Sequence, residues 1–401
     1  MKPDKNATEP DKNATEPRKN TEISVSFRAS VAIILLITMH ACSAETVTED
    51  PFREFIIENY TLIPTEQVVH PGADEIYNAG GVVAPADSEN LIILDQADQT
   101  IKMLNRNGEI VNTAGGRGRG PGELGEYARF FLGEDHKLYV IDGLNHRVHI
   151  YEIIDDTLNL LETKPFNYPA GYFFDSIYST ETGLYGLFSR SENTFFSPDN
   201  RYYLYTLDQN LEMKEKLLEL PGEQRTRVDD ENFTFYFPNI FTEKTLWSMD
   251  GDWFYYMSSH KTIIHRFNVS TGVEQSIDIL GIPLRENHPE LIEEIIARFV
   301  NEDDISNSEQ VTSVLYENES LPMFSSFKVS RDRVYIQTYY SPGEKGMLLI
   351  ANLDTNALHY VETPHGFGNL TTRGDTIYGV DYDSESGAYE LLILRLKADF
   401  D

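Results

Sequence analysis

Residues 116–124 read GRGRGPGEL and set two guanidinium groups, Arg117 and Arg119, and one carboxylate, Glu123, on a glycine-rich loop. Arginines so close together can hold a carboxylate or sulfate group by charge-assisted hydrogen bonds, and can equally pair with neighbouring acids. A phosphate cradle does not fit. The loop lacks the Lys-Ser/Thr ending of a P-loop, and Pro121-Gly122 leads into strand-like sequence, not into a helix whose N-terminus could face an anion. Its glycines suit a tight turn with positive φ. Other turn-rich segments carry Phe166, Tyr168, Arg225, Tyr236, Phe237 and His365, side chains suited to the mouth of a binding site. On that reading Tyr168→Ala or Tyr236→Ala weakens binding and leaves stability nearly unchanged. No Gly-x-Ser-x-Gly elbow is present, and the ten histidines show no paired spacing for zinc, so no catalytic residue is assigned.

Charge narrows the function further. Lys plus Arg number 33 against 65 Asp plus Glu, a formal net charge of −32 over 401 residues. Nucleic acid binding needs a basic footprint that this chain lacks, and an acidic surface resists anionic lipid headgroups. A solvated, salt-tolerant surface is the expectation. The single cysteine, Cys42, rules out intrachain disulfides. It follows an apolar run at 29–41 that is too short to span a bilayer and is preceded by Arg18, Lys19 and Arg28, the layout of a secretory signal peptide. Met39-His40-Ala41-Cys42 looks like a lipobox, in which the cysteine becomes lipidated and N-terminal; His40 and Met39 depart from its commonest residues. Residues 3–16 are two copies of PDKNATE, a polar, proline-bearing repeat that cannot bury a face, and translation is expected to start downstream, near Val25. The expected layout is a leader and signal peptide over 1–41, a linker over 42–51 and one folded domain over 52–401.

The elements that must position these side chains are short strands. From residue 80 onward, apolar alternation is broken at close intervals by turn residues. LIILDQADQTIKML (91–104) and LYVIDGLNHRVHIY (138–151) align without a gap at an offset of 47, each a strand, a turn opened by Asp95 or Asp142, and a second strand. Similar units recur at 183–208, 252–269, 333–354 and 376–397, making six. Four strands per unit at this spacing predict a β-propeller, because one blade cannot bury both faces of its sheet alone. The last unit lacks a fourth strand, and FREFIIENYTLI (52–63) is expected to supply it and latch the ring. PELIEEIIARFV (289–300) has helical periodicity, with a second helix within 307–317, so a helical insertion over about 283–320 is expected between blades four and five.

With these residues in view, the chain resembles the bacterial six-bladed β-propeller lipoproteins related to NHL-repeat and TolB-like propellers. GRGRGPGEL matches their G-x-G-P-G-E signature, and Asp142, Asn145 and Arg147 match the Asp-x-x-Asn-x-Arg of an NHL repeat. The physical role of that triplet is to brace a turn, with the arginine pairing across it. The resemblance implies an all-β, six-bladed propeller exported to the bacterial cell envelope, lipid-anchored at the outer membrane or periplasmic face, or else secreted to the periplasm. It implies no agreed activity. The expected function is ligand binding or protein interaction, with a glycan, peptide or envelope protein as partner, a membrane reached through the lipid only, and a monomer. Arg117, Arg119, Glu123, Tyr168, Tyr236 and His365 are the candidate ligand contacts. The alternative is a metal-dependent lactonase-like hydrolase. Propellers of the gluconolactonase and paraoxonase type hold a divalent metal through Asn, Asp and Glu near the starts of inner strands, and Asn78, Glu126, Asp175, Asn239 and Asn369 fall near such positions. Oxygen ligands of that kind suit Ca²⁺; otherwise no cofactor is expected.

Overall fold

Every side chain of Leu91-Ile92-Ile93-Leu94-Asp95 is buried. A strand sends alternate side chains to opposite faces, so a fully buried strand must have a packed neighbour on each side. Both neighbours are other blades: Ile92 and Leu94 pack with Leu138 and Val140 of the next unit, and Leu91 and Ile93 with Leu391 and Ile393 of the last one. The computed structural model describes residues 50–69, 76, 78–190, 200–229, 234–239, 241–278, 280–299, 309–317, 320–339, 345–364, 367–383 and 388–397. Cys42, the signal-like run, the PDKNATE repeats and His365 therefore lie outside the described residues.

The described chain opens with helix α1 (Pro51–Asn59) and strands β1 (Thr61–Leu62) and β2 (Thr65–Val69). Blade one is β3 (Ala79–Val83), β4 (Leu91–Asp95), β5 (Thr100–Leu104) and β6 (Ile110–Gly115). Blade two is β7 (Arg129–Leu132), β8 (Lys137–Asp142), β9 (Arg147–Ile154) and β10 (Thr157–Pro165). Blade three is β11 (Tyr172–Thr180), β12 (Gly183–Arg190), β13 (Arg201–Leu207) and β14 (Met213–Pro221), followed by a hairpin of β15 (Arg225–Asp229) and β16 (Thr234–Pro238). Blade four is β17 (Thr245–Asp250), β18 (Trp253–Ser258), β19 (Ile264–Asn268) and β20 (Glu274–Ile277); helices α2 (Pro289–Phe299) and α3 (Glu309–Glu317) follow it. Blade five is β21 (Phe324–Ser330), β22 (Arg333–Thr338), β23 (Lys345–Asn352) and β24 (Leu358–Pro364), and blade six begins with β25 (Gly368–Arg373), β26 (Thr376–Asp383) and β27 (Ala388–Leu396). The six units read from sequence are the second and third strands of the six blades.

First strands adjoin around the axis: β3 touches β7, β7 touches β11, β17 touches β21, β21 touches β25, and β25 touches β3. Six apolar clusters fill the six spaces between neighbouring blades. The outermost strands face water on one side, as the alternating burial of β6 shows. A seventh cluster docks the insertion: Leu291, Ile292, Leu315 and Leu321 close over Phe241.

Ring closure differs from the sequence expectation. Residues 52–63 are not the closing strand; β2 pairs antiparallel with β27, Thr65 opposite Leu396, and completes blade six. FREFIIEN instead forms α1, in which Phe52, Phe55 and Ile56 share a helical face, Asp50 accepts from the Phe52 N–H as N-cap and Pro51 occupies the first turn. That face sits on the cluster between blades four and five. A short apolar run satisfies both periodicities, and here the cap and the packing decide. The true closing strand, TEQVV, reads as half polar because an outermost strand buries one face only.

Candidate functional site

The strands of each blade alternate in direction, so the loops between blades and those between second and third strands emerge on one face. Two of those loops are built into each other at blade two. The Asp142 carboxylate accepts from the Asn145 backbone N–H (3.2 Å), from Asn145 Nδ2 (2.8 Å) and from Arg147 Nε (3.0 Å). Arg147 then donates to the carbonyls of Arg119 (2.6 Å) and Glu123 (2.6 Å), fastening the glycine loop. Burial alone would push the Asp142 carboxyl up, but hydrogen bonds from His149, Asn145 and Arg147 outweigh it and bring it down to about 2. Inside the loop, Glu123 accepts from the Gly120 N–H, and Leu124 N–H bonds the Gly116 carbonyl at 2.7 Å. Gly116 and Gly122 adopt φ of +113° and +81°, a region that favours glycine. Arg117 pairs with Glu126 at 2.8 Å, both exposed, and Arg119 is exposed.

Tyr168 lies inside the wall between blades two and three. Its ring stacks on Phe166 at 4.9 Å and meets Phe188 edge-on at 4.7 Å, and its hydroxyl donates to the Leu211 carbonyl at 2.9 Å. Burial raises its phenol well above the ordinary tyrosine value. Tyr236 is half-buried on β16, paired through the backbone with Arg227.

The axis holds a different set of side chains. First strands from all six blades line a channel of about 660 Å³, to which Arg129, Phe131, Glu134, Tyr178, Asp250, Lys328 and Asn369 contribute. Gly80 and Gly81 stand at its wall, and a Cβ on Gly81 would come within 2.9 Å of Phe130. At the start of β7, Arg129 reaches across to Asp175 of blade three (2.8 Å), and Asp175 also accepts from the Ser189 N–H. On the opposite arc, β17 and β21 run side by side, joined where the Val329 N–H donates to Ser248 Oγ at 2.9 Å. Asp250 and Lys328 belong to these two strands. Burial pulls the Lys328 ammonium below the ordinary lysine range, against the opposing pull of Asp250, and burial pushes the Asp250 carboxyl up. A groove of about 830 Å³ between blades one and two, which shares Leu132 and His136 with the channel lining, is larger but lined by Asp87, Glu89, Asp155 and Asp156 with Arg106 and His136. The channel is the better candidate site, because the first strands of all six blades converge on it and bring charges of both signs.

The positions considered for metal do not converge in this way. The Asn78 backbone is held by the Asp95 carboxylate, Glu126 is taken by Arg117 and Asp175 by Arg129. Asn239, buried in a turn, donates to Thr226 Oγ1 (2.8 Å) and accepts from the Phe241 N–H (2.9 Å). Asn369 lines the channel. Among the described residues no three or more His, Cys, Asp or Glu side chains are grouped to hold a metal ion. Sequence reasoning missed Arg129, Asp250 and Lys328. The available signal was a charge inside an otherwise apolar or small-residue strand, as in FSSFKVS and TLWSMD.

Six blades of four antiparallel strands, with β1 added parallel to β24 at the rim of blade five, surround a charge-lined axis and define the class, a six-bladed β-propeller. Within that class, residues 82–263 match the family model DUF5128, described as a 6-bladed beta-propeller. The matched stretch spans blades one to three and the start of blade four. None of the curated proteins compared matches the chain. Among solved structures it is similar to a protein described as exported from Bacteroides fragilis NCTC 9343, at 13% identity and a TM-score of 0.52, covering 84% of this chain and 96% of that one. It is also similar to a DUF4221 family member from Bacteroides vulgatus ATCC 8482, at 12% identity and a TM-score of 0.51, covering 84% and 98%.

Proposed function

We propose that this chain is an exported binding propeller of the bacterial cell envelope, lipid-anchored through Cys42, that takes its ligand in the central channel. The observation that carries the reading is the convergence of Arg129, Asp250 and Lys328 from three first strands on one cavity of about 660 Å³. That volume falls in the range of small-molecule sites, and rigid strands hold the polar groups. Export is supported by the signal-like run before Cys42 and by the B. fragilis protein of the same fold. The Asp142–Asn145–Arg147 brace is in keeping with an NHL-type repeat.

Glycan and peptide arrays on the purified protein, repeated with Arg129→Ala, test the reading. Binding that drops at least tenfold in the variant is the expected result. Calcium-dependent lactone hydrolysis that survives in Arg129→Ala would replace this reading with the hydrolase one.

A further inference from the structure

With 65 acidic residues against 33 basic ones, a cation in this protein has carboxylates to choose from. Arg129 has taken Asp175, and Lys102, buried one blade away, has taken Asp95 at 2.7 Å. Lys328 is different. It lines the channel, yet its ammonium makes neither a hydrogen bond nor an ion pair with any described residue. Asp250 lines the same cavity on the adjoining strand, and the two feel each other's charge without closing into a pair. Both residues are half-buried, and Asp250 already accepts from the Arg331 backbone N–H. A partly desolvated ammonium without a hydrogen-bonded counter-charge is unfavourable, and so is a partly desolvated carboxylate with acceptor capacity left over. An ion of opposite sign entering the channel would relieve the first, and a donated hydrogen bond the second.

We propose that the channel binds a small carboxylate-bearing molecule, its carboxylate on Lys328 and a hydroxyl or N–H donated to Asp250. The cavity volume limits the ligand to roughly a monosaccharide or amino acid derivative rather than a polymer. This inference rests on the channel being the ligand site, and the two can fail separately.

The test compares purified wild-type protein with Lys328→Met and Lys328→Gln at constant ionic strength. Unfolding midpoints and calorimetric titrations are read with two matched pairs of probes: D-galacturonate against D-galactose, and N-acetyl-L-alanine against its amide. At least one acid should raise the wild-type midpoint by about 2 °C or more while its neutral partner does not. Both variants should bind that acid roughly thirtyfold more weakly, or not measurably, with an unliganded midpoint equal to or above that of the wild type. Which acid acts distinguishes a sugar acid from an amino acid derivative. Equal shifts by acid and neutral partner, in wild type and variants alike, would overturn carboxylate recognition and leave the channel as the site. No shift from any of the four probes would overturn the inference, and a lowered midpoint in both variants would then mark Lys328 as a scaffold cation.

Discussion

Asp142 shows how one carboxylate ties two loops together. With its carboxyl at about 2, below that of an unfolded aspartate, it stabilises the folded state above about pH 4. That contribution, about 2 kcal/mol, is lost as the pH falls from about 4 towards 2. Asp142→Asn should therefore lower stability at pH 7 by about that amount and flatten the acid limb of a pH–stability curve; an unchanged acid limb would assign the brace to other groups. Its role was legible in sequence, because a turn-opening Asp followed by Asn and Arg is a local device. The role of Tyr168 was not. Read as a mouth aromatic whose loss spares stability, it is packed against Phe166, Phe174 and Phe188. Tyr168→Ala should cost about 3 kcal/mol in urea denaturation and Tyr168→Phe about 1 kcal/mol. A polar-tipped ring suits either place, and only its neighbours decide between them.

Among elements, α1 is held at its N-cap by a contact between residues 235 positions apart. Asp50 caps the helix and also accepts from Arg285 in the loop before α2, with both side chains buried. Removing one partner of a buried ion pair leaves the other charge poorly compensated. Asp50→Ala should therefore destabilise the protein by about 3 kcal/mol in chemical denaturation, and adding Arg285→Met should recover part of the loss. A double variant less stable than the single would show that Arg285 has a larger role in holding the insertion than in holding α1. The insertion itself was legible: PELIEEIIARF has strong helical periodicity, and Leu291 and Ile292 are buried where that periodicity puts them. The hairpin of β15 and β16 was not, because RTRVD and TFYFP are too short to stand out from loop sequence.

For the molecule as a whole, the net charge of −32 sets a uniform self-repulsion that folding must overcome. Raising sodium chloride from about 20 mM to about 0.5 M should lift the unfolding midpoint by a few degrees as that repulsion is screened. A fall instead would mean that exposed pairs such as Arg117–Glu126 outweigh it. The ring adds a second whole-molecule property. Blade six is made from both ends of the described chain, β2 with β25 to β27, so the first and last blades are packed together rather than left as open edges.

The repeat of strand, turn and strand, and with it six blades and their order, was determined by the sequence alone. The unbroken apolar run from Leu91 to Leu94, which marks a strand buried on both faces, is a property of neighbouring residues. The closing strand, the place of Tyr168, and the meeting of Asp250 and Lys328 on adjoining strands of the channel wall were decided by the tertiary structure. Each depends on residues separated in the chain being brought together by packing: Thr65 with Leu396 by ring closure, Tyr168 with Leu211 beside blade three, and β17 with β21 between successive blades across the helical insertion. Local pattern says which side chains leave water; only the closed ring says which of them meet.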